Sequence, residues 1–267
     1  MSDTAIGPLN PVKAAARYLR RGGAFILVAA LLLWVLFANT GVIPSIFSFF
    51  GLGAETASFA KSVHALWIPL SPKAFWVGAI ALALGAALDP LGFTRDVDWV
   101  NEKIGVICNW LVLWSCIISG GNAMVRYAYD QSSNAWLEVQ WYMFAVIVMF
   151  GASYTLKRNE HVRVDLLYMT LGRRGQLWID ILGTLVFLLP TCVILAWLSW
   201  PFFMQSYLVE EHSSNAGGLL RWPIKLVLPV GFLLVALQGL SEVIKRVAFL
   251  NDIPVESLEA HYERPTQ

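Results

Sequence analysis

Three cysteines and four histidines are the residues best equipped for chemistry in this chain. Cys108, Cys116 and Cys192 all sit inside apolar runs with no CxxC spacing. They read as small buried hydrophobes, and no metal or redox pair follows from them. His64, His161, His212 and His261 fall in or near the connections between apolar runs. A haem held between membrane helices needs histidines at depth, so that class is disfavoured. His161 and Asp165 stand four apart and would meet on a helix as an acid–base pair. No nucleophile or metal cluster accompanies them. The sequence therefore implies no cofactor and no metal, and no basic block resembles a nucleic-acid patch.

The elements that carry these residues follow from composition. Hydrophobic residues make up 57% of the 267, and charged residues 14%, against about 45–50% and about 25% in an ordinary soluble domain. A single soluble core stops growing at this length and could not hide so much apolar surface. The chain reads as an all-α integral membrane protein, since only helices or closed barrels satisfy the backbone in lipid. A span needs about 20 apolar residues to cross about 30 Å. Six candidates meet or approach that: about Gly23 to Val42, Pro72 to Leu88, Ile104 to Val125, Trp136 to Leu156, Leu177 to Leu208 and Ile224 to Phe249. Ser71 and Pro72 suit a helix start, and Asp89-Pro90 a stop. The first span follows a long basic segment without a small-x-small cleavage site, so retention as an anchor is expected. Ile43 to Gly53 stays apolar after Pro44, as an outer interfacial segment or a frayed span end.

Positive charge orients the chain. With six spans and an inner N-terminus, Lys61, Lys73, Arg126, Arg221 and Lys225 lie outside, leaving the other 14 of 19 basic residues inside. Both termini are expected in the cytoplasm. Asp89, Asp96, Asp98 and Glu102 dilute the second inner connection. Three parts are expected: residues 1–95, a basic segment and transmembrane hairpin; residues 96–250, a four-helix transmembrane bundle; and residues 251–267, a cytoplasmic tail. No internal repeat suggests an inverted-repeat transport core.

Few ionisable residues fall within the spans, where a charge costs roughly 2.5–3.5 kcal/mol on insertion scales. Asp180 reads as a first-turn acid on the positive end of a helix dipole. Glu138 and Glu242 lie near opposite ends of their spans and can reach the interface. Asn109, Asn122 and Gln238 suit hydrogen bonds between helices. The inner connection from Lys157 to Arg174 suits a short interfacial helix or a solvated basic loop. The outer connection from Glu210 to Lys225 has a Gly217-Gly218 turn, an interfacial Trp222 and a helix start at Pro223. It reads as a plain loop or a surface for a periplasmic partner.

These two connections carry a resemblance. Glu160-His161-Val162-Arg163-Val164-Asp165-Leu166-Leu167-Tyr168, then Arg173-Arg174 and a long apolar helix, resembles the small permease subunit of tripartite ATP-independent periplasmic (TRAP) transporters, the DctQ-type family. Gly217-Gly218-Leu219, Arg221-Trp222-Pro223-Ile224-Lys225, Leu228-Pro229-Val230-Gly231-Phe232 and Leu237-Gln238-Gly239 are similar to its last-helix region. The likeness covers about residues 100 to 250. The usual small subunit has four spans, so this chain is similar to extended members with an N-terminal two-helix extension. The resemblance implies a non-enzymatic subunit that braces a large DctM-type permease during sodium-coupled uptake. A periplasmic solute-binding protein would deliver an organic acid, and the setting would be a bacterial inner membrane. Glu160, Arg163 and Asp165 become the inner-face motif, structural or facing a partner or lipid. Arg126, Glu210, Glu211 and Arg221 become periplasmic docking candidates. Two other classes stay open: a self-sufficient small channel or carrier, and a membrane enzyme working through His161 and Asp165.

Overall fold

A computed structural model describes residues 11–37, 71–130, 134–159, 171–255 and 258. The segment from Ile43 to Gly53 and the inner motif with Glu160, Arg163 and Asp165 lie outside the described residues. All regular structure among the described residues is helical: α1 (Pro11–Phe37), α2 (Ser71–Leu88), α3 (Pro90–Tyr129), α4 (Asn134–Arg158), α5 (Arg173–Leu208) and α6 (Trp222–Leu250). Four of these, α3 to α6, are long and apolar enough to cross a membrane, whereas the apolar part of α2 is shorter. The fold is an all-α membrane bundle of four spanning helices, preceded by a two-helix N-terminal extension. The chain divides into two compact units, residues 1–93 and 94–267.

In the first unit α1 and α2 pack backbone to backbone. Ala16, Arg20, Gly23 and Ala30 are buried on one side of α1, at spacings of four, three and seven. Gly78 and Gly85 are buried on α2. A Cβ on Gly23 would stand 2.6 Å from the Leu82 nitrogen, and one on Gly85 2.7 Å from the Arg20 nitrogen. Only glycine permits that approach. Arg20 seals the end of α2, donating from Nη1 to the carbonyls of Gly85 (3.3 Å) and Asp89 (3.2 Å) and to Asp89 Oδ2 (3.2 Å). Asp89 also caps the next helix, accepting from the Gly92 N–H at 3.0 Å, with Pro90 at the first helical position.

That cap explains a departure from the sequence reading. The stretch holding Asp96, Asp98 and Glu102 was expected as an inner connection, but it is the first third of one 40-residue helix. Nothing after Pro90 breaks a helix, and Asp98 and Glu102 find partners within the second unit.

In that unit α6 is the hub. It packs against α4 and α5, and 44% of its most apolar stretch is buried, against 6–11% for the other spanning helices. A π-helical turn at Thr184–Leu188 widens α5 just before Pro190. The Leu189 N–H bonds the Thr184 carbonyl five residues back. Proline has no N–H and crowds the carbonyl four residues before it, so a wider turn relieves the crowding. At the C-terminal end of α6 Leu258 returns to pack with Leu177 and Phe249, and the Arg173 guanidinium lies 4.2 Å from the Phe249 ring centre.

Candidate functional site

Two polar constellations stand at opposite ends of the second unit. One centres on α6, where Gln238, Ser241, Glu242, Lys245 and Arg246 are all buried. Spacings of three and four put them on one face. Lys245 Nζ donates to Glu242 Oε1 at 2.6 Å and to both Asp98 oxygens at 3.0 and 3.1 Å. Arg246 donates from Nη1 to Glu242 Oε2 (2.8 Å) and from Nε to Asp180 Oδ2 (3.3 Å). Gln238 divides its amide, donating to Asp98 Oδ1 and Glu242 Oε1, each at 3.0 Å, and accepting from Asn101 at 2.6 Å. Ser153 Oγ stands 2.7 Å from Asn101 Oδ1 and ties in α4. Beside this cluster Glu102 accepts from Lys157 (2.5 Å) and Arg158 (3.0 Å), and Lys157 also reaches the Asp98 carbonyl at 3.0 Å.

The cluster therefore joins α3, α4, α5 and α6. Asp98, Asp180 and Glu242 outnumber Lys245 and Arg246 by one, and the Glu102–Lys157–Arg158 group carries the opposite imbalance. A buried charge persists only when paired and hydrogen-bonded in this way. The arrangement can hold four helices in one register.

Three readings from the sequence are corrected here. Glu242 does not reach the interface; it is 4% exposed and held between Lys245 and Arg246. It lies eight residues from the end of α6, about 12 Å along the axis, and partners on adjacent turns spare it the reach to water. Asp180 is not a first-turn acid, because α5 begins at Arg173, a full turn earlier than expected. It serves Arg246 instead. Lys245 and Arg246, counted as inner-loop charges, are interior residues. Of the three amides expected to bond between helices, Gln238 does so. Asn101, Ser153 and Asp98 were missed. Their signal was the spacing of Asp98, Asn101 and Glu102 on one helix face, matching Gln238, Glu242, Lys245 and Arg246.

The other constellation is the loop between α5 and α6. An antiparallel bridge pairs His212 with Leu220, and the Arg221 N–H reaches the Glu211 carbonyl at 2.7 Å. Gly217, at φ 71°, makes the turn. Glu138, only 4% exposed, gathers the loop from α4. It accepts from the Leu219 N–H (2.7 Å), the Asn215 amide (3.0 Å) and the Ser213 hydroxyl. This too corrects the sequence reading, which sent Glu138 to the interface; the loop folds down over it instead. Tyr142 Oη donates to the Leu220 carbonyl at 2.8 Å, and Asn134 to that of Ala216 at 3.0 Å. Glu211 pairs with Lys225, which holds its carboxyl below the usual carboxylate range. Beneath the loop Trp200, Phe203, Tyr207 and Trp222 stack in series, with centroids 5.5–5.7 Å apart.

Of the docking candidates, Glu210, Glu211 and Arg221 share this loop, with Glu210 at φ 48°. Arg126 stands exposed in the last turn of α3. The loop is thus a braced polar surface, unlike an open loop.

Residues 115–249, half of the chain, match the family model described as tripartite ATP-independent periplasmic transporters, DctQ component. That stretch takes in the last 15 of the 40 residues of α3, both constellations' α4 residues, the α5–α6 loop and nearly all of α6. No curated protein and no solved structure matches the chain.

Proposed function

Since the chain belongs to the DctQ family, the small membrane component of TRAP transporters, we propose that it braces a large DctM-type permease. In this reading the large subunit performs sodium-coupled uptake of an organic acid. A periplasmic solute-binding protein delivers that acid and docks transiently at the outer loop. Glu210, Glu211 and Arg221, with Arg126 beside the membrane, offer charges of both signs for that docking. Glu160, Arg163 and Asp165 supply an inner-face contact. The protein lies in a bacterial inner membrane with both termini cytoplasmic. Residues 1–95 act as an added hairpin on a four-span domain at 96–250, followed by a tail at 251–267.

The observation that carries this reading is the inner clamp. Its carboxylates and cations face one another across α3, α5 and α6, with α4 tied in by Ser153, which is the construction of a rigid brace. The apolar flanks of α3, α4 and α5 are left to surfaces other than the chain itself. A self-sufficient carrier would instead turn such polar groups toward a path through the bundle.

The test is reconstitution. The tagged protein should co-purify with the large permease, and proteoliposomes should accumulate substrate only when both subunits, the binding protein and a sodium gradient are supplied. Uptake by this chain alone would overturn the proposal.

A further inference from the structure

An apolar groove of about 670 Å³ opens between α3 and α4. It is lined by Gly105, Cys108 and Val112 from one helix and by Val148, Gly151 and Ala152 from the other. At its inner end the helices touch: a Cβ on Gly105 would stand 2.5 Å from the Tyr154 ring. One turn further along the contact is lost. A Cβ on Gly151 would meet only Cys108 Sγ, at 4.0 Å. A mid-helix glycine is unfavourable unless something approaches its bare backbone. Among the described residues nothing comes nearer than that sulfur. Asn109 and Thr155 add polar groups to a wall that Leu188 of α5 and Val235 of α6 complete, and Thr155 donates its hydroxyl to the Gly151 carbonyl at 3.1 Å.

The inner mouth of the groove is cationic. Tyr154 lines it, and the Arg158 guanidinium lies 5.3 Å from that ring's centre. The Arg158 side chain is 47% exposed, and one of its nitrogens serves Glu102. With Lys157 the group keeps one net positive charge. We propose that the groove holds an acyl chain of one anionic phospholipid, with the phosphate at Arg158. Basic residues at the cytoplasmic mouth of an interhelical pocket suit such a headgroup. The alternative occupant, a helix of a partner, fits poorly. A helix is about 10 Å across, so the groove would take only about one and a half turns of one. A hydrocarbon chain is far thinner, and it needs no anion-matching face where Arg158 stands. The assignment is independent of the transporter reading.

The full-length protein in nanodiscs of phosphatidylcholine doped with phosphatidylglycerol, released into native mass spectrometry, tests this. The wild type should retain one phosphatidylglycerol. Gly151→Leu, whose added side chain fills the groove without meeting backbone, should lose it to background while keeping its helix content. Arg158→Gln should still retain a lipid, with preference for phosphatidylglycerol reduced about fivefold. Unchanged retention by Gly151→Leu overturns the proposal, and equal retention of both lipids by the wild type overturns the headgroup assignment. Cross-linking of Val148→Cys to a permease helix in the assembled complex would make the groove a protein contact, and would also sink it.

Discussion

At the scale of single residues, Glu242 decides most. It accepts from Gln238, Lys245 and Arg246 in a buried setting. Glu242→Gln removes the one acceptor that Lys245 and Arg246 share and leaves each with a single aspartate, Asp98 or Asp180. The loss should therefore be clear but below the ~3–5 kcal/mol of a fully orphaned buried charge. Asp98→Asn should cost less, since Lys245 would keep Glu242 and Asp98 is the more exposed acid (22% against 6%). Detergent-solubilised thermal unfolding should show both the loss and this order; equal, small effects would remove the clamp from the account. This arithmetic was only half legible in the sequence. Gln238 was recognised because an amide amid apolar residues is conspicuous. Glu242, Lys245 and Arg246 were read as end-of-span residues because hydropathy averages over a window and does not report what a neighbouring helix brings. The missing partners lie on other helices, Asp98 more than 140 residues away in sequence.

At the scale of elements, the α5–α6 loop behaves as a small folded object. Glu138 binds it from below, and the Glu211–Lys225 pair closes its base. The Glu211 carboxyl is depressed below its ordinary 4.5, first by its hydrogen bond to Lys225. A depressed acid contributes stability that is present above its unfolded pKa and is lost as pH falls through the lower folded value. The loop should therefore stay ordered through neutral pH and down past 4.5, then open in stronger acid. Trp222, edge-on to Tyr207 at 5.5 Å, provides the fluorescence signal. In Glu211→Gln the acid step attributable to this pair should vanish, whereas an unchanged acid transition would mean that the pair does not control the loop. The turn itself was readable from Gly217-Gly218. The bracing was not, because the key acceptor, Glu138, sits two elements earlier. Helix boundaries show the same limit. Asp89-Pro90 was read as a stop, and it is equally a start: the aspartate ends α2 and caps α3 one residue later. A run of acids that looks like a loop continues as helix when its partners lie on the facing helices.

At the scale of the whole molecule, apolar composition told of a membrane, and the placement of charge told of a scaffold. The paired charges of the second unit lie at its two ends, one set joining four helices and the other folding a loop. The first unit has its own glycine seam and its own buried pair, Arg20 with Asp89. Each unit thus contains the contacts that hold it together, and the family match begins only at residue 115. We therefore propose that the N-terminal hairpin is an addition to a four-span subunit able to fold without it. A chain beginning at Asp89 keeps the cap of α3, the inner clamp and the outer loop. That shortened chain is expected to insert, to melt within a few degrees of the full-length protein and to co-purify with the large permease. A shortened chain that inserts and folds yet fails to hold the permease would make the hairpin part of the subunit interface. One that fails to fold would show that the clamp depends on the hairpin, and the division into an added unit and a complete subunit would be wrong.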